Sequence, residues 1–351
     1  MVTQTPDTGS TVRSASGRAE WVPDVLGDDY QRTTIPLGTD PDGEGQIEAT
    51  LVRFRPANSR PASAGPVLYI HGRSDYFFQR HVAEYFAERG YAFYALDLRK
   101  CGRSTRPGQT PHYVTNFAYY DRELDEAMRI IRGESAGAPV LLVAHSTGAL
   151  TVSLWMNRKN RSSAGHGVSG MILNSPFFDL PGPAYLRSIV LTAFIEGAGW
   201  LRSHSEIPRT SGDDAYGASI HSSLRGEWDY DLDWKPLGGY PVQFGWLRAV
   251  RRAHKAVQRG LDVGVPTLIL RSKLSSRAKQ FGDEIDVVDA VLDVTQIQRW
   301  AGCLGDRTTV VPITGARHDV LLSAAKPRAK AFAEIGNWLD WLHTYLDEAD
   351  T

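Results

Sequence analysis

The chain has 351 residues, 42% of them hydrophobic and 23% charged, with a formal net charge of −1. A globular chain of this length buries a full core, removing roughly three quarters of its unfolded surface from water, and a charge so near zero excludes a global field that would gather nucleic acid or an anionic membrane. Two cysteines, Cys101 and Cys303, cannot form a disulfide framework, and no run approaches the roughly 18 apolar residues that would span a bilayer.

Residues 1–20 are polar, without periodicity and without the apolar stretch of a signal peptide. They read as a disordered tail, and the expected location is the cytoplasm. Between Tyr30 and Arg55 two strand-like pieces flank the turn-rich stretch TDPDGEGQ, which predicts a hairpin. Short, nearly continuous apolar runs then begin at Pro66, Tyr91, Pro139, Gly170, Pro266 and Thr309. Strands of a parallel sheet buried on both faces read this way. Amphipathic helices are expected between them: HVAEYFAERG from His81, RELDEAMRIIRG from Arg122, and a C-terminal helix with Phe332, Ile335, Leu339, Leu342 and Leu346 on one stripe. Strand and helix in alternation imply right-handed crossovers and a doubly wound, mostly parallel α/β sheet.

The alternation breaks once, at residues 177–260, which we read as a helical cap inserted into a core made of 21–176 and 261–351. Its first helix candidate is apolar, with Leu186, Ile189, Val190, Ala193, Phe194 and Trp200 expected to face the core or a substrate channel. Its last, WLRAVRRAHKAVQRG, is basic and is expected to be a solvated face.

The strand PVLLVAHS runs straight into Ser146, and a helix starts at Thr147. The segment from Ala144 to Gly148 fits small-x-Ser-x-Gly. Small residues two before and two after let a sharp strand-to-helix turn pack while it lifts the serine Oγ clear of the sheet. The blander reading, a serine N-cap after a buried strand, needs no such neighbours. Upstream, VLYIHG ends at Gly72-Arg73, at the sheet edge where ligands of open α/β sheets bind. The backbone N–H groups of Arg73 and Thr147 are therefore candidates for an oxyanion hole. In enzymes with such a turn the chain order is nucleophile, acid, histidine. His318, after the last strand and before the last helix, stands where the base belongs. The acid should follow the strand PTLILRS, where Asp283, Glu284, Asp286, Asp289 and Asp293 all qualify.

With these pieces placed, the sequence resembles the α/β-hydrolase superfamily, most nearly its branch of serine aminopeptidases, monoacylglycerol lipases and lysophospholipases. The likeness is carried by IHGRSDY at Ile70, ALDLRKCGRS at Ala95, VAHSTG at Val143 and GARHDVLLS at Gly315. DAVLDV at Asp289 is similar to the family's Asp-x-Val-Val segment, which implies that Asp289 is the triad acid. One departure lies in the family's Asp-x-Arg-Gly-x-Gly-x-Ser loop. It reads Asp97 to Ser104 here with a glycine displaced, so Cys101 is expected in a tight structural turn.

The resemblance implies a serine hydrolase that cleaves a small-molecule acyl ester through an acyl-enzyme on Ser146, with no cofactor. The alternatives are an aminopeptidase, for which Glu227, Asp229, Asp231 and Asp233 would have to gather around a substrate amine, and a binding protein of the same fold with little turnover. The sequence contains neither metal-ligand spacing nor a Gly-rich phosphate loop, and nucleic acid is not expected as a partner. The acyl group and the oligomeric state are not legible.

Overall fold

The hairpin and the six apolar runs form strands in a computed structural model that describes residues 19–57, 62–162, 166–182, 189–208, 214–276 and 283–349. A short β1 (Val22–Asp24), which the sequence pattern did not reveal, precedes the hairpin β2 (Gly27–Thr39) and β3 (Gln46–Phe54). Then come β4 (Pro66–Ile70), β5 (Ala92–Asp97), β6 (Val140–His145), β7 (Val168–Asn174), β8 (Thr267–Ser272) and β9 (Thr308–Ile313). They join in one sheet of order β1-β2-β3-β5-β4-β6-β7-β8-β9, antiparallel through the β3–β5 pair and parallel from β5 onward.

The parallel part has its helices on both faces, and the strands' alternation decides which side chain meets which helix. Leu68 and Ile70 of β4 belong to a core shared with α2 (Asp121–Glu134) and α3 (Thr147–Asn160). Val67 and Tyr69 turn to the other core, with α1 (Arg80–Glu88) and α8 (Ala325–Ala349). Because both faces are covered, β4 and β6 are buried at every residue, which is why they read as unbroken apolar runs. The stripe on α8 is real: Ile335, Leu339 and Leu342 are buried.

The strand order also fixes where a ligand can bind. From β4 the chain steps to one side to make β5, then returns to the opposite side to make β6. The carboxyl ends of β4 and β6 therefore flank the topological switch point, where the two connections diverge and leave a crevice.

Between β7 and β8 lie α4 (Ile189–Leu201), α5 (Ala215–Ile220) and α6 (Phe244–Gln258); α7 (Val294–Trp300) follows β8. Two expectations for this insertion need correction. Phe194 and Trp200 of α4 point outward, 60% and 72% exposed, while Thr192 and Ile195 are buried. The face of α4 turned to α6 carries Thr192, whose hydroxyl accepts from Arg251 at 3.2 Å, and Glu196, which pairs with Arg248 and Arg252. Nor is α6 simply a solvated basic face. Its Arg251 is buried against Asp179, and its His254 is buried beneath Phe177. Residues 1–18 of the expected tail, and Leu186, lie outside the described residues. Among the described residues no helix is long and apolar enough to cross a membrane.

His254 gives the fold a pH dependence. Its ring is fully buried, with Nε2 3.0 Å from the Phe177 carbonyl. Burial, helped by the neighbouring Arg251, pushes its pKa down to about 3. An unfolded histidine takes up a proton near pH 6.5, so between these values the unfolded chain binds more protons than the folded one. Stability is then complete above pH 6.5 and is lost as the pH falls, by up to about 1.4 kcal/mol per pH unit for one such group. Urea unfolding between pH 7 and pH 4 is expected to show that decline, and His254→Gln is expected to lessen it by one group's share, since burial also holds the pKa of His81 and His112 down.

Candidate active site

The register places the two turns side by side. Ile70 pairs with Ala144, so Gly72 falls level with Ser146 two residues further along each strand. A Cβ on Gly72 would sit 2.9 Å from His145 Nδ1 and 3.1 Å from Ser146 Cβ. At Gly148 the approach is tighter: a Cβ there would lie 2.3 Å from the His71 carbonyl oxygen and 2.7 Å from that of Ile70. Gly148 is needed because the two backbones approach too closely for a side chain, and at Gly72 a Cβ would press on the His145 and Ser146 side chains. Ser146 itself has φ +50° and ψ −113°, a conformation that costs a residue with a Cβ on the order of 1–3 kcal/mol. It is held there by its N–H donating to Asn174 O at 2.9 Å and by its carbonyl accepting from Phe177 N–H at 3.1 Å.

Three of the residues singled out from the sequence meet. His318 Nε2 is 3.1 Å from Ser146 Oγ, and His318 Nδ1 is 3.0 Å from Asp289 Oδ2. All three are buried, Ser146 being the most open at 8%. Asp289 Oδ1 accepts the Val291 and Leu292 N–H groups at 2.9 and 2.7 Å, which aims Oδ2 at the ring. The Asp289 backbone is bridged to the extension of β8 through Ser275. Its rivals have other work. Asp286 pairs with Arg317 at 2.9 Å, Asp293 caps α7 through the Thr295 N–H, and Glu284 is exposed.

The two backbone N–H groups are placed by local geometry. Thr147 is the first residue of α3, at the positive end of the helix dipole. His71 Nε2 accepts from the Leu98 N–H at 3.1 Å, so Nδ1 carries the proton and donates to the Gly72 carbonyl at 2.7 Å. The Gly72–Arg73 peptide is planar and trans, so the Arg73 N–H points away from His71.

Sequence reasoning missed a buried polar group behind the serine. His145 Nδ1 stands 3.5 Å from Asp75 Oδ2 and 3.9 Å from Asp319 Oδ2, and its ring centroid is 4.9 Å from that of His318. Asp75 also takes Lys235 Nζ at 2.8 Å, and Asp319 takes Asn174 Nδ2 at 2.6 Å. Burial pushes the Asp75 carboxyl up, but the Lys235 ammonium and the His145 ring outweigh it and hold it well below the usual carboxylate range. Tyr216 of α5 sets its ring edge-on to His318, and its hydroxyl accepts from the Asp319 N–H at 3.0 Å. Burial and the nearby Asp319 keep that phenol protonated. Asp75 and Asp319 carried one signal, each lying next to a segment already marked by Gly72 or His318. Cys101 is where the displaced glycine led us to expect it, buried in a turn with its thiol 3.1 Å from the Arg99 carbonyl and from His112 Nδ1. A separate cleft of about 1650 Å³, lined by Arg53, Arg89 and Glu134 among others, opens at the opposite edge of the sheet.

The model of the family described as serine aminopeptidase, S33, matches residues 61–278. YnbC of Escherichia coli (strain K12), an uncharacterized protein, is 27% identical over 178 residues, which are 50% of this chain and 29% of that protein. The chain thus matches less than a third of the length of that curated relative. Among solved structures, a soluble variant of monoglyceride lipase from Saccharomyces cerevisiae superposes with a TM-score of 0.58 at 14% identity, over 91% of this chain and 99% of its own. Monoacylglycerol lipase from Paleococcus ferrophilus gives 0.58 at 17% identity over 90% and 100%. A carboxyl esterase from Bacillus coagulans gives 0.58 at 14% identity over 89% and 98%. At such identities the likeness is one of fold, and that fold is the α/β-hydrolase fold.

The close approach at Gly148 can be tested against a glycine that has room. Gly148→Ala must push backbone against backbone and is expected to destabilise the protein by about 1–3 kcal/mol or more. Gly133→Ala on α2, where nothing lies within 4 Å of the new Cβ, is expected to be neutral or to stabilise by up to about 1 kcal/mol. Urea denaturation of the two variants beside the parent measures both.

Proposed function

The chain belongs to the serine aminopeptidase S33 family of α/β-hydrolases, and from that premise we propose that it is a serine ester hydrolase acting through an acyl-enzyme on Ser146. The observation that carries the reading is the hydrogen-bonded line from Ser146 Oγ through His318 to Asp289, set at the switch point of the sheet. A serine hydroxyl is a poor nucleophile until a base takes its proton. His318 Nε2 takes it as Oγ bonds to the ester carbonyl carbon. Asp289 keeps the proton on Nδ1 and stabilises the imidazolium. The carbonyl oxygen becomes an oxyanion, held by the N–H groups of Arg73 and Thr147. When the C–O bond breaks, the alcohol leaves with the proton from His318. Water, deprotonated by the same nitrogen, then attacks the acyl carbon, and the acid and Ser146 are released.

We read residues 177–260 as the cap that shapes the substrate pocket. Tyr216 sets its ring edge-on to His318 and supplies an apolar wall beside the reacting atoms, while Phe177 is tied to the Ser146 carbonyl through its backbone N–H and turns its ring onto His254. Phe194 takes no part, since it faces outward. An acyl chain of medium length suits such walls. Glu227, Asp229, Asp231 and Asp233, which an aminopeptidase would need around a substrate amine, are all exposed, and this favours the ester reading over the aminopeptidase one.

Ser146→Ala is expected to lose fluorophosphonate labelling and to cut ester turnover by on the order of 10⁶. Asp289→Asn is expected to cost about 10⁴, because an amide favours the wrong tautomer of the histidine, while Asp286→Asn and Asp293→Asn leave turnover within about tenfold of the parent. Steady-state hydrolysis of a p-nitrophenyl ester compares all four; a crippled Asp286→Asn beside an active Asp289→Asn would mean another acid serves. Across acetate, butyrate, hexanoate and octanoate esters, kcat/KM should rise about fourfold per added carbon until the pocket fills, since each buried methylene is worth about 0.8 kcal/mol. A series that peaks at acetate, or faster release of p-nitroaniline from an aminoacyl anilide, would reject the apolar acyl pocket.

A further inference from the structure

Every residue of the turn from Arg73 to Tyr76 grips one short stretch of the insertion. Arg73 donates through Nη1 to the Tyr240 carbonyl at 3.0 Å and through Nη2 to the Pro241 carbonyl, with its guanidinium 4.6 Å above the Trp246 ring. Ser74 Oγ accepts from the Tyr240 N–H at 2.8 Å. Asp75 Oδ1 holds Lys235 Nζ at 2.8 Å. The Tyr76 hydroxyl accepts from the Asp231 N–H at 2.8 Å. Residues 231–241 thus form a strap across the turn that carries the Arg73 N–H.

Within the strap, the Lys235–Asp75 contact is the unusual one. Both residues are buried, 7% and 1% exposed, and the ammonium lies 5.6 to 5.7 Å from the centroids of Tyr230 and Phe78. A buried ion pair is a weak way to stabilise a fold, because apolar side chains of the same size do as well or better. It does fix one geometry. Here the fixed carboxylate has the Gly72–Arg73 turn on one side, three residues back along the chain. On the other side its Oδ2 faces His145, the residue before Ser146, at 3.5 Å.

We propose that Lys235 and Asp75 are a positioning pair, by which the insertion holds the Arg73 N–H and Ser146 in register for the oxyanion. The proposal rests on the serine hydrolase reading and deepens it: the cap sets catalytic geometry as well as substrate access. Neither side chain touches the reacting atoms. Losing the pair should therefore slow the step in which charge develops and leave ground-state binding alone.

The test uses the full chain with Lys235→Met, Lys235→Arg and the double variant Lys235→Met/Asp75→Leu. The double variant removes both charges and keeps apolar volume, so it remains folded even where Lys235→Met strands a buried carboxylate; urea unfolding verifies this. A fully lost oxyanion donor costs about 10²–10³ in kcat, so a displaced one should cost about 10–100-fold. Lys235→Met and the double variant are expected to lose that factor in kcat with KM within about twofold. Affinity for a trifluoromethyl ketone, whose adduct on Ser146 bears an oxyanion, should fall by the same factor. Lys235→Arg is expected to restore most of kcat. A folded double variant with parental kcat and ketone affinity would overturn the proposal, as would a loss confined to KM. Failure of the underlying reading looks different: the parent itself would neither take a fluorophosphonate on Ser146 nor hydrolyse esters.

Discussion

The site is made possible by the crossing of two backbones at the carboxyl edge of the sheet. The turn after β4 and the start of α3 approach so closely that a methyl group on Gly148 would overlap the His71 carbonyl. That contact sets the height of Ser146 above the sheet, its left-handed φ and the distance to the Gly72–Arg73 peptide. Strand order brings the two turns together, because β4 and β6 are neighbours with their connections leaving in opposite directions. The stability that such crowding and an unfavourable φ cost is recovered in the strands. Val140 to Ala144 of β6 are at most 1% exposed, and Val67 to Ile70 of β4 likewise. A turn this strained persists only where its flanks are over-determined.

The second feature of the site is its density of buried charge. Asp75, Asp289 and Asp319 are each no more than 1% exposed, and Lys235 is buried beside the first of them. Isolated carboxylates would be prohibitive there. Each has a specific answer: Lys235 for Asp75, His318 and two backbone N–H groups for Asp289, Asn174 and the Leu321 N–H for Asp319. These partners come from β7, from the loops after β8 and β9 and from the insertion, so the electrostatics tie the sheet edge to the insertion. His145 sits among them as the connection between the serine turn and the strap.

Much of this was legible because the signals are local. A strand buried on both faces must be a continuous apolar run, and each of the six runs became a strand, although β9, at the edge of the sheet, is buried only at Ile313. The serine turn is spelled out in five adjacent residues, Ala144 to Gly148. His318 needed only chain order, since one histidine stands between the last strand and the last helix. Asp289 was harder. Four aspartates lie within eleven residues, and no local pattern separates a carboxylate that aims at an imidazole from one that caps a helix, as Asp293 does, or pairs with an arginine, as Asp286 does. Resemblance to a family segment selected among them, and the hydrogen bonds put Asp289, not Asp286 or Asp293, beside His318.

What could not be read depends on contacts across long separations. Asp75 and Lys235 are 160 residues apart, and Arg73 and Pro241 are 168 apart. In WDYDLDWKPLGGYP the charged and aromatic residues alternate, which looks like a wet face, yet Lys235 is buried and the aspartates around it are exposed. Charge type alone cannot predict this, because whether a lysine is buried depends on whether a carboxylate waits for it elsewhere in the chain. The same holds for α4. Its apolar residues suggested an inward face for Phe194 and Trp200, but the face that is buried carries Thr192 and Ile195, with Glu196 meeting two arginines of α6. A helix that packs on another insertion helix answers to that partner first and to the core second. Pattern therefore predicted α4 and α6 as helices, but not which face each turns to the other.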